Sequence, residues 1–299
     1  MAECTLIQTT GWSDYELIDT GSYEKLERFG NYFLSRPEPQ ACWNKSLKQA
    51  EWEKLAHAKF VKTAGKESLG EKGQWHFLKK MDEQWWVGYV YKSMKLRFRL
   101  GLTAFKHVGL FPEQADNWNY IFDSVSEIKE IHPRVLNLFA YTGGASLAAR
   151  AAGADVAHVD SVRQVVNWSR ENMEASGLDG IRWLVDDAMK FVKREVRRGN
   201  KYHGIILDPP AYGRGPDGEK WVLEEQINEL IKNCSELLSE EKNFLILNLY
   251  SMGFSALVAE NLICDYVKNI KTKEFGELFF ADHSGKRLPL GTFFRMRSL

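Results

Sequence analysis

The chain has few cysteines, no surplus of either charge and no long apolar run, and each shortage removes a class of protein. Its 299 residues hold four cysteines, Cys4, Cys42, Cys234 and Cys264. They are far apart and lack any CxxC or Cys/His spacing, so no metal site and no disulfide framework is expected, and a cytoplasmic, reducing setting is. Lys+Arg and Asp+Glu are both 40, a formal net charge of +0. There is therefore no global pull toward nucleic acid, and a polyanionic partner would have to meet a local patch. No apolar run approaches a membrane span, and the amino terminus lacks a basic region leading into an apolar one, which predicts no membrane partner. Internal repeats and low-complexity segments are also missing. What is plentiful is aromatic: 13% of residues, with 10 Trp, many before residue 120.

The sequence is organised around residues 135–161, VLNLFAYTGGASLAARAAGADVAHVDS. Residues 135–139, an apolar run after Pro133, suit a buried parallel strand. Ala140, Tyr141, Thr142, Gly143 and Gly144 make a turn of mostly small residues, residues 145–152 have good helix propensity, and Gly153 stops that helix. A second apolar run, 156–159, ends on Asp160. Strand, small turn, helix, strand and terminal acid is the plan of a nucleotide half-site. Glycines admit a ligand close to the backbone, and an acid after the second strand can accept both hydroxyls of a ribose. The strict G-x-G-x-x-G fingerprint is absent. A pyrophosphate needs that tight approach and an adenosine without phosphate does not, which favours S-adenosylmethionine over NAD. The alternative is an ordinary βαβ unit whose glycines serve only packing.

Residues 1–105 read as a small β-rich domain, with short alternating segments at 15–19, 32–35, 85–91 and 96–100 between Gly, Pro and charged turns. Residues 45–62 suggest a short helix with Trp52, Leu55 and Phe60 inward, and residues 62–72, rich in Gly, Lys and Glu, a mobile loop. Residues 106–130 form a junction whose helix opens at Pro112 and runs to about Ile128 with Trp118, Ile121 and Phe122 on one face. Residues 131–299 alternate strand and helix. Candidate strands are 135–139, 156–159, 182–185, 204–207, 244–249, 274–280 and 293–297. The predicted fold is thus α/β: a Rossmann-like, mostly parallel seven-stranded sheet closed by an antiparallel hairpin strand, with the β-rich domain before it.

A second stretch, IILDPPAYGRG at 205–215, puts an acid and two prolines at the carboxyl end of a strand, where open α/β sheets bind ligands. Pro209 and Pro210 fix a rigid turn and leave the Asp208 carboxylate as an acceptor. Held beside a methyl sulfonium, it can orient an exocyclic amine for in-line displacement. Asp160 can take a ribose diol, while Ser161 and Val162 line an adenine face. Asp187, with the Ala188 N–H, can read the adenine amino edge, or can instead cap the helix that begins there.

FAYTGGASLA, VDS, DDAMKF and DPPAYGRGP together resemble the class I S-adenosylmethionine-dependent methyltransferases, in the branch that contains bacterial large-subunit ribosomal RNA cytosine and guanine methyltransferases. YELIDTGSYEKLERFGNYFLSRPEPQACW and FKHVGLFPEQADNW resemble that branch's amino-terminal β domain and junction. The resemblance implies that Phe139, Tyr141 and Gly143 line the methionine end of the cofactor, that Asp160 and Asp187 are the ribose and adenine acids, and that Asp208, Pro209 and Pro210 form the catalytic face. It further implies that Phe111 and Gln114, with His107 as a candidate, close over the cofactor. Two departures matter. The cytosine C5 enzymes of this branch attack the ring with a cysteine, and here that place reads Asn248, Leu249, Tyr250, Ser251, which favours an amine acceptor. Ala211 stands where amine methyltransferases carry an aromatic, and Tyr212, a candidate base stacker, follows it.

The extra amino-terminal RNA-binding module of better-known members is absent. Cations that could meet RNA are Lys190, Lys193, Arg194, Arg197, Arg198 and Lys201, against a solvated helix face, and Arg214 and Lys220 beside the catalytic turn. The expectation is a methyltransferase acting on a nucleobase in RNA, ribosomal RNA foremost. Small-molecule or protein methylation, a catalytically silent RNA-binding protein and an NAD dehydrogenase are the alternatives.

Overall fold

The computed structural model describes residues 3–63, 72–129, 132–250 and 253–299. The chain forms two compact units. Unit 1 comprises Met1–Ile7, Gln114–Leu278 and Leu290–Leu299, and unit 2 comprises Gln8–Glu113 and Phe279–Pro289.

The first strand, β1 (Thr5–Gln8), joins the large sheet of unit 1. In unit 2, β2 (Tyr15–Gly21), β3 (Glu24–Phe29) and β4 (Tyr32–Pro37) form an antiparallel meander. Helix α1 (Gln49–Leu55) leads to β5 (Ala58–Lys62), which runs parallel to β4 and antiparallel to β6 (Gly73–Phe77). Strands β7 (Gln84–Tyr91) and β8 (Met94–Gly101) make a separate two-stranded ribbon. The helix expected over 45–62 ends at Leu55: Ala56 turns extended, and Phe60 is buried from strand β5. Pairing with β4 on one side and β6 on the other outweighs the helix propensity of this charged stretch. Trp52 packs against Ile18, Leu26 and Ala56. The buried Asp19 carboxylate accepts the Trp52 indole N–H at 2.7 Å and the backbone N–H groups of Ser46 and Leu47, so the loop entering α1 is fixed from inside. Of the loop expected at 62–72, residues 64–71 lie outside the described residues.

A 3-10 turn at Pro112–Gln114 opens α2 (Ala115–Glu127), which buries Trp118, Ile121, Phe122 and Val125. Then follow β9 (Arg134–Leu138), α3 (Gly144–Ala151), β10 (Asp155–Asp160), α4 (Arg163–Ala175), β11 (Ile181–Val185), α5 (Ala188–Arg197) and β12 (Gly204–Leu207). A short hairpin, β13 (Tyr212–Arg214) with β14 (Lys220–Val222), precedes α6 (Leu223–Leu237), β15 (Phe244–Leu249), α7 (Ala256–Tyr266), β16 (Thr272–Ala281) and β17 (Arg287–Arg297). All seven expected strands are present and β1 adds an eighth, in the order β1-β16-β17-β15-β12-β9-β10-β11. Strands β15, β12, β9, β10 and β11 are parallel, and β17 is antiparallel to β15. Every residue of β12 and β15 is buried. This is the run of apolar side chains that a parallel sheet covered on both faces requires, each Leu or Ile contributing roughly 2 kcal/mol.

The order of strands positions the site. From β9 the chain moves outward through β10 to β11, then returns to the other side of β9 for β12 and β15. The sheet therefore reverses between β9 and β12, where the carboxyl ends leave a crevice.

Candidate active site

Two turns flank that reversal. The first follows β9, and its backbone is unusual: Phe139, Tyr141 and Gly143 all have positive φ, of 54°, 48° and 92°. Left-handed backbone costs a non-glycine residue on the order of 1–3 kcal/mol, so something must hold it. The Asp160 carboxylate accepts the Tyr141 N–H at 2.9 Å, and the Val159 carbonyl accepts the Ala140 N–H at 3.1 Å. Ser169 Oγ donates to the Tyr141 carbonyl at 2.7 Å, and Asn172 Nδ2 to the carbonyl of buried Thr142 at 3.0 Å.

Beneath the turn, Asn137 Nδ2 donates to Ser146 Oγ at 2.9 Å, and Ser146 Oγ lies 3.0 Å from His158 Nδ1. Ser146 accepts from Asn137 and meets Nδ1 as donor or as acceptor according to the imidazole tautomer. Burial pushes His158 down to about 3, so the ring is neutral near pH 7. Asn137, Ser146, His158, Ser169 and Asn172 are all fully buried or nearly so. None stood out in the sequence, although a polar residue at the centre of VLNL and of VAHV is a signal of such a network.

The two glycines of the turn have different tasks. Gly143 adopts the left-handed backbone that starts α3, and a Cβ there would come within 3.2 Å of the Ser169 Cβ. At Gly144 a Cβ would lie 2.5 Å from the Trp118 ring, so this glycine admits the indole of α2. For Gly144 the packing explanation holds.

At the end of β10, Asp160 also accepts the Val162 N–H at 2.9 Å, through its other oxygen. Burial raises its pKa, and the N–H groups of Val162, Tyr141 and Ser161 oppose the rise without cancelling it. A carboxylate has about four acceptor sites, and what these N–H groups leave open suits an incoming hydroxyl. Ser161 is half-buried and Val162 exposed beside it. After β11, Asp187 Oδ1 accepts the Lys190 N–H at 2.8 Å and so caps α5, the second of its two expected roles, while Asp186 pairs with Arg194. Ala188 is buried at the first position of the helix.

The second turn follows β12, whose Leu207 is in register with Leu138 of β9. Asp208 is half-buried, Pro209 buried and Pro210 exposed. The hairpin beyond them, unforeseen in the sequence, holds the turn in place. Trp221 Nε1 donates to the Pro210 carbonyl at 2.7 Å, and the Leu223 N–H to the Ala211 carbonyl at 3.0 Å. The Trp221 ring also lies 4.9 Å from that of Phe139, so one indole links the two turns. Tyr212, in β13 opposite Val222, is 39% exposed.

At the end of β15, buried Asn248 accepts from Asn117 Nδ2 at 2.9 Å and donates to Gln114 Oε1 at 3.0 Å, and Asn117 donates to the same Gln114 oxygen. Gln114 is thereby fixed within unit 1. Phe111 belongs to unit 2, its ring 5.2 Å from that of His107. The cations of α5 are largely occupied: Lys190 pairs with Glu219, Lys193 with Glu229 at 2.7 Å, Arg194 with Asp186 and Arg198 with Glu195, while Lys201 donates to the Glu236 carbonyl. They form an ion-paired surface rather than a phosphate patch. Arg214 and Lys220 face each other on the hairpin and are exposed.

Among the described residues, no group of three or more His, Cys, Asp or Glu side chains is placed to hold a metal ion, and no helix is long and apolar enough to cross a membrane.

Residues 80–265 match the family model for S-adenosylmethionine-dependent methyltransferases. The ribosomal RNA large subunit methyltransferase K/L of Shewanella frigidimarina is 30% identical over 173 residues, 56% of this chain and 23% of that protein. The ribosomal RNA large subunit methyltransferase I of Aeromonas salmonicida is 33% identical over 107 residues, 35% of this chain and 26% of that protein. Each match spans about a quarter of the curated relative's length. Over nearly the whole chain, the crystal structure of a SAM-dependent methyltransferase from Agrobacterium tumefaciens is similar, with 36% identity, TM-score 0.89, and coverage of 99% of this chain and 94% of the other. A solved methyltransferase complexed with SAH shares the fold, with TM-score 0.69 and 18% identity over 96% of this chain and 76% of its own.

Proposed function

We propose, for a chain that belongs to the S-adenosylmethionine-dependent methyltransferase family, that it methylates an exocyclic amine of a nucleobase in RNA, with ribosomal RNA the first candidate. Membership settles the cofactor and sets the NAD alternative aside. The observation that carries the reading is the meeting of two turns on adjacent strands: the Asp160-held turn after β9 and the acid-Pro-Pro turn after β12, joined through Trp221.

When bound, the cofactor supplies a methyl carbon already activated by a positively charged sulfur. The work left to the protein is positioning and exclusion of water. Asp160 offers its remaining lone pairs to the ribose hydroxyls, and Ser161 and Val162 flank the adenine. Asp187 caps α5 with one oxygen and has the other for the adenine amino group, beside the Ala188 N–H. Phe139, Tyr141, Thr142 and Gly143 present the backbone to the methionine end. Asp208, held stiff by Pro209 and Pro210, accepts a hydrogen bond from the substrate amine, directs its lone pair at the methyl carbon and receives the proton released on transfer. Tyr212 stacks on the base. Gln114, fixed by Asn117 and Asn248, stands at the cofactor's edge.

Two things support the amine over ring carbon. Attack at cytosine C5 needs a nucleophile that adds to the ring, and Asn248 stands at that place with its amide engaged by Gln114 and Asn117. Cys234 is buried in the core among α6 side chains, where burial raises its thiol pKa and keeps it a neutral thiol. RNA as the substrate class rests on the relatives, which are named as ribosomal RNA methyltransferases.

The test is transfer of tritium from methyl-labelled cofactor into fractions of a strain lacking the gene. Label is expected in ribosomal RNA and, after digestion, in an N-methylated nucleoside. Label confined to the small-molecule or protein fraction would remove RNA from the reading, and label in a C5-methylated nucleoside would remove the amine.

A further inference from the structure

The β7–β8 ribbon of unit 2 has two unlike faces. One carries Trp85, Val87 and Tyr89 against Leu100, Phe98 and Leu96, all buried. Side chains alternate along a strand, so the other face carries Gln84, Trp86, Gly88 and Val90 opposite Gly101, Arg99, Arg97 and Lys95. Trp86 is 40% and Val90 60% exposed. Lys95 and Arg97 are exposed and Arg99 half-buried. The outward positions thus hold three cations, an indole and no acid. Lys92, in the turn at the ribbon's tip, adds a fourth cation 5.0 Å from the Tyr91 ring. Asp14, whose carboxylate accepts the Gly88 N–H at 2.8 Å, is an acid beside the ribbon's middle.

Two features of this face fit nucleic acid. Lys95, Arg97 and Arg99 fall on alternate residues of one strand, roughly 7 Å apart, a straight row that successive phosphates of an extended strand can follow. The Arg97 guanidinium lies 5.5 Å from the Trp86 ring centre, so cation and aromatic share one patch, as in surfaces that grip a backbone and stack a base. In a chain of net charge +0, such a patch is not a by-product of overall basicity.

We infer that the outward face of β7–β8 binds single-stranded or looped RNA, with Lys95, Arg97 and Arg99 on phosphates and Trp86 stacked on a base. This rests on the RNA reading of the substrate and adds a place, outside the candidate active site, where the RNA is gripped.

The test uses the full chain and a fluorescein-labelled, mixed-sequence single-stranded RNA, followed by anisotropy across a salt series. Replacing all three cations (Lys95→Gln, Arg97→Gln, Arg99→Gln) should weaken binding at least about tenfold and lower the slope of log affinity against log salt by about 2, at ~0.7 for each phosphate no longer neutralised. Trp86→Ala should weaken binding roughly tenfold with the slope unchanged, and Arg97→Lys should retain it. Lys193→Gln on α5, outside the ribbon, should change neither quantity. Cofactor affinity and melting temperature, matched to wild type, establish that each variant is folded. Unchanged affinity and slope in the triple variant would overturn the proposal, as would competition by polyglutamate as effective as that by RNA. Methyl transfer is scored separately. If wild type methylates RNA and the triple variant does so with the same KM, the ribbon is discarded and the substrate reading stands. If wild type methylates no RNA, the substrate reading fails whatever the ribbon retains.

Discussion

The two turns at the rim of the sheet are held in opposite ways. The turn after β9 is secured from below: Asp160, Ser169 and Asn172 grip its backbone, and a buried layer of Asn137, Ser146 and His158 supports them. The turn after β12 is secured from the side, by the indole of Trp221 and the backbone of a hairpin, and leaves Pro210 and Tyr212 exposed. The difference matches the two ligands proposed for them. A cofactor that never varies is served by a surface fixed from the interior, where donors and acceptors stay aligned without reorganisation. A macromolecular substrate has to be reached from solvent, so its recognition groups stay outside and stiffness comes from prolines.

The contrast can be broken from either side. The largest expected effect is at the second turn: Asp208→Ala should lower the rate of methyl transfer roughly a hundred- to thousandfold, since it removes the acceptor that aligns the amine. Cofactor affinity should stay within about twofold, as read by calorimetry. Equal loss of both would mean that Asp208 serves the cofactor and that the division between the turns is wrong. Next is Asp160→Ala, which strands the Tyr141 and Val162 N–H groups and removes the ribose acceptor. Cofactor affinity should fall about a hundredfold, from one or two unmade buried hydrogen bonds, and the melting temperature should drop with it. An unaltered dissociation constant would detach the first turn from the cofactor.

The smallest effect sharpens the idea of a fixed underside. His158 has its pKa held down to about 3 by burial, against about 6.5 unfolded. Unfolding therefore takes up a proton below pH 6.5. The stability that the neutral ring contributes is complete above that value and is lost as pH falls toward 3. The difference in stability between wild type and His158→Gln should shrink by roughly 2 kcal/mol between pH 7 and pH 5, measured by denaturant unfolding. A pH-independent difference would mean that the ring is solvated.

Much of this was legible in the sequence because it is local. The apolar runs at 135–139, 204–207 and 244–249 became strands within a residue of their expected ends, and Pro112 and Gly153 punctuated their helices as their backbone preferences dictate. The rest depended on distant partners. β1 is four residues of simple alternation, and β13 and β14 are three each, too short for a period to register. The cations of α5 read as a basic stripe because Glu219 and Glu229, which pair with two of them, come from the hairpin and α6. Asp160 was recognisable as an acid at the end of a strand, yet its hold on Tyr141 was not, because a left-handed tyrosine leaves no mark in sequence. Asn137 and His158 sit inside apolar runs, and their polarity acquires meaning only when β9 and β10 lie side by side.

Unit 2 is made from two stretches of chain. Its early strands are bonded to residues near the other end: Thr20 Oγ1 donates to Asp282 Oδ2 at 2.7 Å across 262 positions, and the His283 N–H meets the Ile18 carbonyl. During synthesis, the portion that emerges first therefore cannot be completed until residues 279–289 have left the ribosome. A premature stop before residue 279 deprives the earliest-made unit of part of its own structure.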